Sequence, residues 1–404
     1  MSKVKDIPKH WQIKKLGEVC KILPGYGFPL NFQGSKAGKY PFYKVGDISK
    51  NVKAGNRQLE LCDNFIDEET LLKIKAIPYP KNTIVFAKIG EGLKLNRRAI
   101  IKTPGIVDNN AIGLKAIENI CSDLFLYNFL TTVKLEDYSK ATTVPSVRKS
   151  EIEDIPFLLP PLPEQLAIVS KIEELLSDLE NGKQQLQIAQ QQLKIYRQSL
   201  LKWAFEGKLT DKNVKDGELP KGWKWVKIED AALSLDNKRK PINKSERLSR
   251  VGDFPYYGAN GRVGWINDFI FDETLICVVE DETFTGRIIP FSYKITGKTW
   301  VNNHAHVLKP KDNTNLDFLN HQLSFYPFLP LTTGTTGRKK LTKSALMNAP
   351  IKLCSLVEQQ LIVDELESKL TVCDKIEETI SQSLQQAETL RQSILKKAFE
   401  GKLI

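Results

Sequence analysis

"RQSLLKWAFEGKLT", Arg197–Thr210, returns at the end of the chain as "RQSILKKAFEGKLI", Arg391–Ile404, with 11 of 14 positions identical. The likeness extends well beyond these stretches. A shift of 194 residues lays Pro156 on Pro350, Glu164-Gln165 on Glu358-Gln359 and Ile168-Val169 on Ile362-Val363, and sets "VDNNA" (Val107–Ala111) on "VNNHA" (Val301–Ala305). Near the start of each half the shift is 212, where "PKHW" (Pro8–Trp11) meets "PKGW" (Pro220–Trp223). The first half therefore holds about 18 extra residues between these anchors. Self-similarity over such a period means two diverged copies of one unit.

Each copy has two parts. Residues 1–155 and 211–349 carry short β-type runs such as "NTIVFAKIG" and "TLICVVED", broken by Gly, Pro and Asn, and read as globular mixed α/β. Residues 156–210 and 350–404 read as helical spacers rich in Leu, Ile, Glu, Gln and Lys. In the first spacer Ile172, Leu179, Leu186, Leu193 and Leu200 fall seven apart, with Ile168, Leu175, Ala189 and Tyr196 on a second seam and Gly182 as the weak point. In the second spacer the seam is Leu366, Cys373, Ile380, Ala387 and Ile394, with Ile362, Ile376 and Leu390 between.

A strict period of seven predicts a left-handed coiled coil, since a 3.6 period drifts off such a seam over five heptads. A helix lying on its own domain is the competing reading. "PPLPEQ" puts prolines before the first helix, where a missing N–H costs nothing, and Glu164 in its first turn suits the dipole. Gly207 and Gly401 are expected to end the helices, with Lys208 and Lys402 near the negative ends. About 40 helical residues give a rod on the order of 60 Å. Because domain termini usually lie close together, the two helices are expected to pair antiparallel, with one α/β domain at each end and a pseudo-twofold between the copies.

The chain has 404 residues and a hydrophobic share of 41%, which suits a folded protein of several units. No apolar run approaches the ~18 residues of a membrane span, and "MSKVKDIPKH" has no signal-peptide core, so a cytoplasmic location is expected. Six scattered cysteines without a CxxC pair indicate neither a disulfide framework nor a zinc site. The excess of 59 Lys+Arg over 48 Asp+Glu, net +11, favours polyanionic partners.

A search for catalytic chemistry yields weak echoes. Gly297-Lys298-Thr299 resembles the end of a P-loop, but Ser292 stands where the leading glycine belongs. "GANGRVG" (Gly258–Gly264) is spaced as a turn-rich loop rather than a dinucleotide fingerprint. Asp154-Ile155-Pro156-Phe157 faintly echoes the segment used in methyl transfer to base amino groups, without a strand, Gly-rich loop and helix to hold a methyl donor. His304 and His306 form an HxH pair whose rings would share a strand face, as metal ligands or as ordinary packing. No catalytic residue, cofactor or metal is expected.

Contacts to DNA are better represented. "TTGTTGRKKLTKS" (Thr332–Ser344) offers Thr335, Thr336, Arg338, Lys339 and Lys340, and the stretch aligned with it, "KATTVPSVRKS" (Lys140–Ser150), offers Arg148 and Lys149. Hydroxyls beside cations suit phosphate positioning. Lys94, Arg97, Arg98, Asn260, Arg262 and Arg287 are further candidates, as are Asn109, Asn110, Asn303 and His304, because Arg and Asn pair two-pronged with guanine and adenine edges. Turn or cap duty is an equal reading for the asparagines.

This combination resembles the specificity subunits of type I restriction-modification systems, which show a proline-flanked "PLPEQ" helix start and a helix closing in R-Q-S-(L/I)-L-x-x-A-F-x-G-x-L, each twice. "LPPLPEQ" and "RQSLLKWAFEGKL" match strongly, whereas "CSLVEQQ" in the second copy lacks the prolines and keeps Glu358-Gln359. The resemblance implies a non-catalytic subunit with two target recognition domains, 1–155 and 211–349, each reading half of a split, asymmetric double-stranded DNA sequence. Paired helices, 156–210 and 350–404, would fix the gap. It implies docking of two methyltransferase (modification) subunits and, in the full complex, restriction subunits. A stand-alone DNA-modifying enzyme and a coiled-coil scaffold without DNA specificity are the alternatives.

Overall fold

Two continuous helices, Leu162–Ala204 and Leu356–Phe399, carry the heptad pattern. In this computed structural model, which describes residues 7–139, 144–211, 213–282, 284–334 and 339–404, each helix is shared between two compact units. One comprises residues 1–186 with 382–404, the other residues 187–381. In the first unit Ile168, Val169 and Ile172, near the start of the first helix, share a core with Leu395, Ala398 and Phe399 at the end of the second. In the second unit Leu193, Leu200 and Ala204, near the end of the first helix, share a core with Ile362, Leu366 and Cys373 near the start of the second. Within each unit, then, the helices pair antiparallel.

All five seam residues of the second helix are buried, as are Ile172, Leu193 and Leu200 of the first. The supplementary seam is mixed: Ile168 and Ile362 are buried, whereas Tyr196, Ile376 and Leu390 are exposed. A two-helix pair covers only a narrow stripe, and the exposed part of the second seam lies at its margin. Arg197 reinforces the pair with ion contacts of 2.5 Å to Asp374 and 3.1 Å to Glu377.

Beside its helices the first unit has a four-stranded antiparallel sheet in the order Cys20–Pro24, Ala111–Ala116, Ile84–Ala87, Ala99–Ile100. A smaller sheet places Tyr40–Tyr43 between Phe65–Ile66 and the parallel strand Ile106–Val107. The second unit repeats this plan. Its first sheet runs Ala232–Ser234, Ala305–Pro310, Leu275–Val279, Ser292–Ile295, and in its second sheet Phe254–Gly258 lies parallel to Lys298–Val301. The mixed α/β class and the internal repeat expected from the sequence are both present. The copies diverge after the matched strands Tyr40–Tyr43 and Phe254–Gly258. The first continues into helix Val45–Lys53, the second into the hairpin strand Gly261–Ile266.

The repeated motifs touch one another. Gln165 is fully buried; its Oε1 accepts from Ser122 N–H at 2.8 Å and its Nε2 donates to the carbonyls of Ile120 and Pro160, both at 2.9 Å. Gln359 does the same with Asn315 N–H at 2.7 Å and the carbonyls of Asn313 and Cys354 at 3.0 and 2.8 Å. The neighbouring glutamates hold the "PKxW" tryptophans: Trp11 Nε1 donates to Glu164 at 2.9 Å and Trp223 Nε1 to Glu358 at 2.8 Å.

Each helix ends at a glycine in the left-handed region, Gly207 at φ +77° and Gly401 at φ +69°. Lys208 and Lys402 N–H each close the last turn at 2.9 Å onto the carbonyls of Trp203 and Lys397, as in a Schellman motif. A Cβ on Gly401 would lie 2.5 Å from Pro8, and one on Gly207 would collide with Pro220. The doubled "AFEGKL" is thus the stretch that seats a helix end against a "PKxW" segment. In the first unit that seating sets Gly401 against Pro8 and Trp11.

Candidate nucleic-acid interface

In the first unit the chain turns between Ile106–Val107 and Ala111–Ala116 at Asp108. Its carboxylate accepts from Asn110 N–H at 2.9 Å, leaving Asn109 and Asn110 exposed. The Asn110 carbonyl accepts from Lys88 N–H at 2.9 Å, and the Lys88 carbonyl accepts from Val147 N–H at 2.9 Å. Four residues expected at DNA, Asn109, Asn110, Arg148 and Lys149, are therefore brought together at one corner of the unit. They are joined there by Lys88, which the sequence reading missed although it closes the strand-like run "NTIVFAK". Lys88, Ser146, Arg148 and Lys149 line a cleft of about 350 Å³ with Ile22 and Ile112. Lys149 also reaches Glu153 at 3.6 Å.

The other basic cluster of this unit behaves differently. Lys94 ends a short helix and pairs with Glu91 at 2.7 Å. Arg97 is half-buried. Arg98 departs from the expectation of a surface contact: it is buried, donates to Asn96 Oδ1 at 2.7 Å and lies 4.6 Å from the Phe86 ring centroid. Burial pushes its guanidinium down to about 9. The apolar strand pattern around it turns this position inward, where the guanidinium stitches a loop together.

The second unit builds the same turn with different groups. Asn302 Oδ1 accepts from His304 N–H at 2.8 Å, as Asp108 does from Asn110. The His304 carbonyl then accepts from Glu280 N–H at 3.0 Å, and the Glu280 carbonyl from Leu341 N–H at 2.7 Å. Glu280 thus stands where Lys88 stands, and Leu341 where Val147 stands. It follows that Arg148-Lys149 correspond to Thr342-Lys343 and not to the basic run before them. This is the pairing that the shift of 194 residues gives. Thr335, Thr336 and Arg338 lie outside the described residues. Lys339 and Lys340 form a short strand opposite Asp281–Glu282, and Lys340 Nζ lies 3.1 Å from Glu280.

Glu280 belongs to a buried ionic cluster. Arg239 reaches it at 2.6 Å and Asp236 at 3.3 Å; His306 meets Asp236 at 2.6 Å and the Leu341 carbonyl at 2.8 Å. Burial alone would raise the pKa of Asp236 and of Glu280. Charge contacts outweigh it and hold both below the usual range, His306 chiefly for Asp236 and Arg239 for Glu280. Ligand atoms of Asp236, Glu280 and His306 lie within 4.8 Å of one another, as in a metal site, but Arg239 and Lys340 already supply the positive charge. The HxH pair is split: His306 is buried in this cluster, whereas exposed His304 pairs with Asp281 at 2.6 Å.

A cleft of about 550 Å³ opens beside the turn. Asn260, Asn303 and His304, all expected from the sequence, line it together with Asn302, Tyr256 and Arg247. Arg287 leans on this rim by donating to Asn260 Oδ1 at 2.8 Å. Arg262 lies on the hairpin strand, 4.6 Å from the Trp265 ring centroid. Arg247 was overlooked because "KSERLSR" reads as an ordinary charged turn of helix; only the fold sets it over Tyr256. The weak catalytic echoes resolve as scaffold. Lys298–Val301 is a strand, Ala259-Asn260 is a hairpin turn, and Pro156–Leu159 pairs with Gln12–Lys15.

Comparison with known proteins fits this arrangement. Residues 8–190 and 220–386 match the family described as type I restriction modification DNA specificity domain. The chain is 33% identical over 144 residues, 36% of each chain, to a protein of Haemophilus influenzae named for a type I restriction enzyme specificity subunit. It is 26% identical over 317 residues to the type I restriction enzyme EcoDI specificity subunit of Escherichia coli, spanning 69% of this chain and 70% of that one. In fold it resembles a chain from a structural study of complex assembly and conformational transition in a type I restriction-modification system. That match has a TM-score of 0.73 at 19% identity and covers 98% of this chain and 99% of the other. With both repeats matched over most of its length, the chain belongs to the type I restriction modification DNA specificity family.

Proposed function

We propose that this chain is the non-catalytic DNA reader of a type I restriction-modification complex. Its recognition domains, residues 1–155 and 211–349, each read one half of a split, asymmetric double-stranded target. The helical regions 156–210 and 350–404 set the gap and dock two modification subunits, with restriction subunits joining the full complex in the cytoplasm. The observation that carries this reading is one backbone corner built twice with different side chains: Asp108, Asn109, Asn110 and Lys88 against Asn302, Asn303, His304 and Glu280. Asp108, Asn302 and Glu280 are buried and Asn109 matches Asn303, so the exposed difference is Asn110 against His304, set on a shared scaffold as reading two unlike half-sites requires. Arg148, Lys149, Lys339 and Lys340 supply phosphate contacts in this reading.

Mapping methylated bases in the native host tests it, with a split motif expected. A contiguous motif, or none dependent on this chain, would overturn it. Removing one heptad from each helix should shorten the gap by about 3 base pairs, since seven residues span ~10.5 Å; an unchanged gap refutes the ruler. Transfer of label from a methyl donor to DNA by the pure chain would favour a stand-alone enzyme instead.

A further inference from the structure

We infer that Arg247 reads a guanine in the half-site taken by the second unit. This rests on the DNA-reading function proposed above and assigns it a specific side chain. Arg247 projects from the short helix Lys244–Ser249 into the cleft beside the Asn302–His304 turn. Its guanidinium carbon lies 5.2 Å from the ring centroid of Tyr256, which is 1% exposed and so forms a fixed platform. Resting an arginine on a buried ring restricts the rotamers that binding would otherwise have to freeze.

The guanidinium is also available. Arg197 is engaged with Asp374 and Glu377, Arg239 with Asp236 and Glu280, and Arg250 with Glu246 and Asp268. Arg247 has no carboxylate partner among the described residues, because the adjacent Glu246 is turned to Arg250 at 3.4 Å and the cleft's Asp281 is held by His304 at 2.6 Å. A planar group with five donors and no acceptor matches the paired O6 and N7 acceptors of guanine and no other base edge in the major groove. Asn303 and Asn260, exposed on the rim, sit where neighbouring bases would pass. The corresponding segment of the first unit, between its strands Cys20–Pro24 and Tyr40–Tyr43, holds the short turn Leu30–Phe32 and no arginine, so the device belongs to one half-site only.

The test is the methylation map of the native host carrying the full chain as wild type, Arg247→Ala, Arg247→Lys or, as a control, Arg250→Ala. Arg247→Ala should relax one guanine position in one half of the motif by roughly 5- to 150-fold and leave the other half unchanged. Arg247→Lys retains charge but loses the two-pronged contact, so it should relax the same position while retaining more methylation; Arg250→Ala should keep the guanine. A wild-type map without a split motif overturns the DNA-reading function itself. A split wild-type motif whose guanines persist in both Arg247 variants overturns the assignment alone, as does loss spread evenly over both halves, which marks a phosphate contact. Should the alanine variant fail to accumulate, the lysine variant decides by the same criterion.

Discussion

Lys88 and Glu280 occupy one backbone position in the two units and have opposite fates. Each donates its N–H to the turn residue, and its carbonyl accepts from Val147 or Leu341 N–H. Lys88 faces a cleft with Arg148 and Lys149, whereas Glu280 is buried against Arg239, His306 and Lys340. A shared scaffold thus fixes where a side chain is placed and leaves its duty to the surroundings. In the first unit the position lines an open cleft; in the second it is buried in an ionic cluster.

The comparison breaks most visibly at Glu280. Glu280→Gln should destabilise the second unit by about 3 kcal/mol, since it removes one of the two carboxylates that neutralise buried Arg239 and leaves Asp236 as the other. Denaturant unfolding followed by hydrogen exchange should localise the loss to residues 187–381; a loss under 1 kcal/mol would show the cluster to be dispensable. Gln165→Ala and Gln359→Ala should cost nearly as much, about 2–3 kcal/mol each, because each strands one buried N–H and leaves two carbonyls short of a donor. Equal losses would show that the two clamps do one job. Gly401→Ala should cost about 1–3 kcal/mol through its positive φ and the clash with Pro8, loosening the first unit selectively.

Acid should act with opposite sign on the buried carboxylates of the two units. Burial, outweighed by His306, Arg239 and Lys340, leaves Asp236 and Glu280 with lowered pKa values, so their contribution is present above ~4 and lost as pH falls through their folded values. In the first unit burial raises the pKa of Asp47 and Asp108, so their contribution is present below the unfolded value and lost as pH rises through the folded one. Exchange protection, corrected for intrinsic rates, should fall in the second unit first on acidification. The smallest effect on stability is expected for Lys88→Met, within about 0.5 kcal/mol. Its signature lies in DNA binding, as a salt slope shallower by about one. An unaltered slope would remove Lys88 from the phosphate path.

Local chemistry alone determined the repeat, the two helices, their glycine stops and the mixed α/β class. Heptad spacing, Gly207 and Gly401 act through neighbours a few residues away, and such signals survive in a string of letters. Family membership was legible for a related reason. "PKxW", "EQ" and "AFEGKL" form one contact set, Trp11 on Glu164 and Gly401 on Pro8, and so the copies share them.

Tertiary structure decided what each polar residue does. Arg98 and Arg247 look alike in sequence, yet an apolar strand carries one into the core beside Phe86 and a short helix lays the other over Tyr256 in an open cleft. Burial and charge partners come from segments far apart in the chain, and pairwise spacing along one sequence carries no record of them.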